Sequence, residues 1–454
     1  NNERCRIPNN PTWFVVDYIC DGTSSSKVSH AYAQEILDTA NATYNRLAVS
    51  DLWTAPGSTI ILTVRDYGPP GDYQGATTKA VFGQPWVYVN SQLATGAQLK
   101  SVVAHEVGHV FQRQYTTNIT TKWVDEGTAE WIAYYTLGDQ SDVYKRIEQG
   151  ADFPTVTIPT SFEMGGYDQE QAYASGAFFI WMENQHGWSA IKQIYEKVSG
   201  DSSYWYDSYK TFTEITSWTM PKIVHEFAVA YWTQSYPPLP ELTLPYTAKN
   251  MTSWAGATVG DSHPTMSSRG WAVQPGGDWK PSIEGREGIV RATGLDKQEQ
   301  RIYVYTDNVS ASSRVGNPVK VAELDWTRLE AKLPPISSSV VCYRLVFING
   351  GETANIQATV VVPRITGISP TSGSRGGGYT VTLTGHGFGS TKSTVWVGPA
   401  YVTDDGITSW TDTQIKFTMP NMGSLIGDQP VQVWVPIAGT SDKVETNTVT
   451  FTVK

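Results

Sequence analysis

Runs of apolar residues at strand length alternate, in the first third of the chain, with apolar residues at helical spacing. Trp13-Phe14-Val15-Val16-Asp17-Tyr18 reads as a strand. A helix is expected from about Lys27 to Leu47, because Ala33, Ile36, Ala40, Tyr44 and Leu47 recur on one face. Ile60-Ile61-Leu62-Thr63-Val64 and Trp86-Val87-Tyr88-Val89 predict two more strands. Near Ala97 the pattern turns helical and stays mostly so to about Tyr236. The last helix is expected to begin at Pro221, since the first-turn amide has no partner to lose, and to end before Pro237-Pro238-Leu239-Pro240.

Beyond that proline cluster the period shortens to two. Arg301-Ile302-Tyr303-Val304-Tyr305, Tyr343-Arg344-Leu345-Val346-Phe347 and Ala358-Thr359-Val360-Val361-Val362 read as strands of a β-sandwich. After Pro363, Thr380-Val381-Thr382-Leu383-Thr384 and Val431-Gln432-Val433-Trp434-Val435 alternate as half-buried strands do. The segment Ile365-Thr366-Gly367-Ile368-Ser369-Pro370-Thr371-Ser372-Gly373, with Gly376-Gly377-Gly378 and Gly385-His386-Gly387-Phe388-Gly389, resembles the start of an IPT/TIG domain, an immunoglobulin-like module. These patterns predict three domains: residues 1–240, with an α/β part to about 110 and a helical part from about 111 to 240; a β-sandwich over 241–362; and an immunoglobulin-like sandwich over 363–454.

Length agrees with several domains, since 454 residues exceed what one hydrophobic core serves. The net charge of -10 offers no basic field to a phosphate backbone, so nucleic acid is not an expected partner. No stretch approaches the roughly 18 apolar residues of a membrane helix, and the polar start Asn1-Asn2-Glu3-Arg4 lacks a signal segment; a processed, soluble chain is expected. Charged residues make up only 17%, a balance that leans towards a secreted protein, in which Asn41, Asn118, Asn250 and Asn308 would be glycan acceptors on a eukaryotic route. Of three cysteines, Cys5 and Cys20 could close a small loop or stay free, and Cys342 sits in an apolar run as a buried strand thiol.

Candidate chemistry is concentrated at His105-Glu106-Val107-Gly108-His109. Histidines four apart on a helix lie on one face and can chelate one ion, with Glu106 about 100° around, beside its open position. Zinc held by three protein ligands lowers the pKa of a bound water to about 7, and an adjacent carboxylate can take the proton. The third ligand is sought in Trp123-Val124-Asp125-Glu126-Gly127-Thr128-Ala129-Glu130-Trp131.

That segment resembles the second motif of the gluzincin zinc metallopeptidases, where a glutamate in a Glu-Gly-x-Ala context completes the metal site. The resemblance implies a zincin-like α+β catalytic domain holding one zinc per chain. It carries the ligand role onto Glu126, with Glu130 as competitor; Glu130, a turn further on, is expected instead to orient His105 through its other ring nitrogen. Tyr173-Ala174-Ser175-Gly176-Ala177 is similar to the Tyr-x-x-Gly-Ala helix start of the aminopeptidase branch, which makes Tyr173 the expected donor to the oxyanion. The other histidines, His30, His186, His225, His263 and His386, lack ligand spacing and are expected to be structural or exposed.

The expected function is a secreted zinc endopeptidase with Glu106 as general base. The aminopeptidase branch anchors the substrate amine through a glutamate on its edge strand. No glutamate lies between Glu35 and Glu106, and the expected edge strand, Phe82-Gly83-Gln84-Pro85-Trp86-Val87-Tyr88-Val89-Asn90, has no acid. Two alternatives stand beside it: a peptidase directed to mucin-type glycoproteins, with some of the 17 tryptophans stacking on sugars, and a non-catalytic zinc-stabilised adhesion protein. The C-terminal β domains are candidates for contact with a glycan or cell surface.

Overall fold

The structure is a computed structural model that describes residues 2–8, 13–69, 75–81, 84–115, 122–149, 158, 169–234, 246–253, 255–264, 266–313 and 315–454. The chain divides into two compact units, with the boundary between Leu242 and Thr243. Residues 235–245, which hold the proline cluster, and the sequon at Asn118 lie outside the described residues.

The first unit begins with a five-stranded sheet of β1 (Glu3–Pro8), β2 (Phe14–Asp21), β3 (Ile60–Arg65), β4 (Gly75–Val81) and β5 (Gln84–Asn90), in the order β1-β2-β3-β5-β4. The inner pairs β2–β3 and β3–β5 are parallel, and both outer pairs are antiparallel. Inner strands read as apolar runs, since Phe14, Val16, Ile60, Leu62, Val64, Val87 and Val89 are all buried. The edge strand expected from the sequence is therefore corrected: β5 is interior, and β4 forms the edge. Polar residues in Gly75-Ala76-Thr77-Thr78-Lys79 hide β4 from an apolar-pattern reading, whereas an edge strand tolerates such residues. Phe82 and Gly83 lie outside the described residues.

Helix α1 (His30–Tyr44) packs against β2 and on α2 (Ala97–Gln112). It starts three residues later than expected because the Ser29 hydroxyl caps it, accepting from the Tyr32 amide at 3.1 Å. After Tyr44 the turn widens to π geometry over Asn45–Ser50, which still carries Leu47 into the core. A disulfide joins Cys5 of β1 to Cys20 of β2, Cα atoms 5.6 Å apart, which closes the alternative that the sequence left open.

Helices follow: α3 (Lys122–Thr136), α4 (Ser141–Gln149), α5 (Gln169–Ala174), α6 (Gly176–His186), α7 (Trp188–Gly200), α8 (Ser208–Thr216) and α9 (Met220–Thr233). In α6 every residue from Gly176 to Met182 is buried, so this helix is apolar all round and forms the centre of the helical part. Trp123, Phe178, Phe179, Trp181, Phe212 and Phe227 interlock around it with ring centroids 5.3–6.4 Å apart. Each of these rings contributes a large buried area. Pro221 falls in the first turn of α9, two residues after the Thr219 cap, so the helix starts one residue earlier than expected.

The second unit is β-rich. Strands β6 (Thr247–Met251), β8 (Ser267–Pro275), β10 (Gln300–Asp307), β11 (Val319–Leu324) and β13 (Cys342–Asn349) form a sheet in the order β11-β10-β13-β8-β6. β7 (Ala257–His263), β9 (Gly288–Thr293), β12 (Glu330–Leu333) and β14 (Ala354–Val361) form another in the order β12-β9-β14-β7. Both sheets contribute to one apolar cluster that includes Val273, Val290, Val304, Leu345 and Ile356. From Arg364 onward two further sheets surround a cluster built on Val381, Leu383, Val395, Ile415, Val433 and Phe451. Ile289 and Val361 join that second cluster, and Arg291 donates to Asp412 at 2.9 Å and to the Gly387 carbonyl at 2.8 Å. Cys342 is a buried free thiol, its pKa pushed up to about 12 by burial. Among the described residues no helix is long and apolar enough to cross a membrane.

Candidate metal centre

Helix α2 carries His105, Glu106 and His109 on residues that are 5–6% exposed, so their polar groups need partners. The Nε2 atoms of His105 and His109 are 3.1 Å apart. Glu126 on α3 brings its Oε2 to 3.0 Å from Nε2 of His105 and 3.4 Å from Nε2 of His109. These three donors all lie within 4.8 Å of one another. On another side of α3, Gly127 lets the helix approach α6: a Cβ there would stand 2.0 Å from the Ser175 hydroxyl oxygen and 2.8 Å from the Phe179 ring. A Cβ on Gly176 would meet Cβ of Glu130 at 2.8 Å.

The other nitrogen of each imidazole faces an acceptor. Glu130 Oε1 stands 3.0 Å from Nδ1 of His105. Gln112 Oε1 lies 2.7 Å from Nδ1 of His109, and its amide donates to the Asp125 carbonyl at 2.8 Å and to the Thr128 hydroxyl at 2.7 Å. That orientation of Gln112 makes its oxygen the acceptor, so Nδ1 of His109 donates and Nε2 is left to the cluster. Thr128 in turn donates to the Val124 carbonyl at 2.6 Å and meets the Tyr195 hydroxyl.

Behind Glu130 lies a second buried layer. Arg146 of α4 grips it with both arms of a fork, Nε to Oε1 at 2.7 Å and Nη2 to Oε2 at 2.9 Å. Its remaining arm donates to the Ser101 hydroxyl at 2.9 Å and to Asp142. Glu130 is fully buried, and breaking such a pair by removing one partner costs about 3–5 kcal/mol.

Burial alone would lower the pKa of His105, but the facing Glu130 and Glu126 carboxylates outweigh it and raise the value to about 10. His109 moves the same way, against its burial, through Glu126. Burial would raise Glu126, yet His109 and His105 hold it below the usual carboxylate range. Glu130 is lowered likewise against its burial by Arg146 and His105. Burial lifts Asp125 to about 6, with His109 and Arg113 opposing the shift.

Two imidazole nitrogens and one carboxylate oxygen, with Gln112 bonded to the far nitrogen of His109 and Glu130 within ion-pair distance of that of His105, fit a zinc ion in donor type. Glu106 lies on the same helix and packs against β4. Tyr173 on α5 is half-buried, its ring edge-to-face with His105 at 5.7 Å between centroids. All six residues singled out from the sequence thus fall in one neighbourhood. Gln112, Ser101, Asp142 and Arg146 were missed. Gln112 had a signal, three residues after His109 on one helical face; the other three had none, being ordinary polar residues until packing buries them.

Of the remaining histidines, His30 pairs with the Tyr18 hydroxyl at 2.9 Å, His225 lies 3.5 Å from Glu226, and His263 stacks on Phe347. Among the described residues the other grouping with ligand-type atoms is Glu3, Cys5 and Cys20, whose sulfurs are committed to the disulfide.

Two family models match this chain over separate stretches. A family model described as the IPT/TIG domain matches residues 363–453, and one described as a family of unknown function, DUF6055, matches residues 25–321, which include every residue of the site. Cyclomaltodextrin glucanotransferases of Niallia circulans and Bacillus licheniformis are each 45% identical over 85 residues, 18% of this chain and 11% of theirs. That of Paenibacillus macerans is 45% identical over 76 residues, 16% of this chain and 10% of its own length. The chain thus spans about a tenth of the curated relatives it matches. Among solved structures, the plexin A4 extracellular region is 13% identical with a TM-score of 0.18, covering 47% of this chain and 27% of its own. A Ruminococcus gnavus β-glucuronidase is 9% identical with a TM-score of 0.15, covering 42% and 35%. By the family model that matches well over half of it, the chain belongs to the family of unknown function DUF6055, and it ends in an IPT/TIG domain.

Proposed function

We propose that the protein is a secreted zinc endopeptidase with a gluzincin-type site, in which His105, His109 and Glu126 hold one zinc ion. The observation that carries this reading is the convergence of the two Nε2 atoms and Glu126 Oε2 within 4.8 Å, beside a buried carboxylate that none of the three needs as a ligand, Glu106. When bound, the metal would supply a Lewis acid that makes water nucleophilic near neutral pH.

The chain's own residues do the rest. Glu106 takes the proton from the attacking water as its oxygen bonds to the peptide carbonyl carbon. It then delivers that proton to the leaving nitrogen as the C–N bond breaks, which returns the carboxylate to its starting state. The Tyr173 hydroxyl donates a hydrogen bond to the oxyanion formed meanwhile. Strand β4 offers its outer edge to an extended chain through backbone hydrogen bonds. A structural zinc site fills its four positions with Cys or His, so an open position beside a carboxylate favours hydrolysis over a stabilising role.

The Cys5–Cys20 disulfide supports an oxidising, extracellular setting. On this reading the second unit, with its IPT/TIG domain, is the contact module for a glycan, a cell surface or a protein substrate.

The test is elemental analysis with two variants. One zinc per chain is expected, His109→Ala should lose it, and Glu106→Gln should keep metal and fold but not hydrolysis. Stoichiometric zinc in His109→Ala, or activity in Glu106→Gln, would overturn the reading.

A further inference from the structure

We infer that Arg146 is a positioning residue of this centre: it fixes the Glu130 carboxylate in the plane where Oε1 faces His105, and so sets the direction in which His105 presents its ligand nitrogen. The inference rests on the zinc reading of His105, His109 and Glu126.

A guanidinium fork holds both oxygens of a carboxylate in one plane, which a point charge does not do. Here Oε1 of Glu130 accepts from Arg146 Nε at 2.7 Å and stands 3.0 Å from His105 Nδ1 as an ion-pair contact, while Oε2 is taken by Arg146 Nη2 at 2.9 Å. Any rotation of the carboxylate breaks both bonds of the fork. The third arm ties Arg146 to Ser101, four residues before His105 on the same helix, and to Asp142 on its own helix. All four members of the group are 0–7% exposed, so no water competes for them. His109 is held differently, by the neutral Gln112.

A plain ion pair stapling α3 to α4 is the simpler role, and electrostatics separates the two. Arg146 is a buried cation next to a site for a dication. If it acted by charge alone, deleting it would strengthen zinc binding, and replacing it with lysine would change little. If it acts by orientation, lysine is not enough.

The experiment measures zinc affinity by competition with a chelator for wild type, Arg146→Lys, Glu130→Gln and the double variant, each verified as folded by thermal unfolding. Arg146→Lys should weaken zinc binding about tenfold or more, the range for partners of ligating histidines. The double variant should bind within about twofold of Glu130→Gln alone, because Arg146 works only through that carboxylate. Unchanged or tighter binding by Arg146→Lys, or losses that add in the double variant, would overturn the inference. Should Arg146→Lys not fold, Arg146→Met combined with Asp142→Asn removes the guanidinium without altering net charge and is judged by the same weakening. If wild type itself takes up no zinc, the metal reading fails, and metal-free crystal structures decide this inference separately: Glu130 displaced from His105 in Arg146→Lys supports it, and Glu130 unmoved overturns it.

Discussion

A Cβ placed on Gly75 of β4 would stand 2.7 Å from Oε1 and 2.9 Å from Cγ of Glu106. The edge strand and the carboxylate proposed as base are therefore in direct contact, and only glycine leaves the space. Gly75→Ala should push the Glu106 side chain aside by about an ångström, a misplacement that can cost about a hundredfold in rate. Zinc content should stay at the wild-type level, since no ligand touches Gly75. Turnover within about threefold of wild type would show that Glu106 is not held where the reaction needs it.

Replacing Tyr173 with Phe removes one donor and keeps the ring that packs against His105. Folding and metal content should be unchanged, while kcat should fall about a hundredfold to a thousandfold, the usual effect of losing one oxyanion donor. A drop of less than about threefold would reduce Tyr173 to a packing role.

The site is expected to cut internal bonds. An aminopeptidase must hold a free ammonium with a carboxylate, and β4, which now stands as the edge strand, carries no acid in Gly75-Ala76-Thr77-Thr78-Lys79-Ala80-Val81. Asp66 on the adjoining loop already accepts the Gly68 amide at 2.8 Å; Asp72 lies outside the described residues. A peptide and its N-acetylated form should be cleaved at similar rates. Stepwise release of single residues from the free-amine peptide alone would reverse this conclusion.

In the second unit, His263 is 1% exposed and stacks on Phe347 with ring centroids 5.2 Å apart. Burial lowers its pKa from the ordinary 6.5 to about 4, with Asp261 on the same strand opposing the shift and Arg269 on β8 adding to it. Between those values the unfolded chain binds a proton that the folded chain excludes, so stability falls as pH drops from about 6.5 to about 4 and levels off below. The loss between pH 7 and pH 4.5 should be about 2–3 kcal/mol. Urea unfolding of His263→Phe should be less sensitive to acid by that amount; an acid sensitivity equal to wild type would assign the effect elsewhere.

How much of this was legible in the chain follows from the range of the forces involved. The buried face of α1, the apolar runs of β2, β3 and β5, and the alternation in the last two domains are local patterns, and they appear in the structure within a few residues of where periodicity places them. The facing of His105 and His109 is equally local, because four residues on a helix return to the same side. Glu126 and Tyr173 could be named only through family motifs, since their approach to α2 depends on how α3 and α5 pack. Strand β4 was invisible because an edge needs no apolar alternation, and its place in the sheet is decided by pairing with β5 rather than by its own residues. Arg146, Asp142 and Ser101 were beyond reach for a related reason. Alone, each would lie in water; only when α2, α3 and α4 close around Glu130 do their charges and hydrogen bonds compensate one another well enough to be buried.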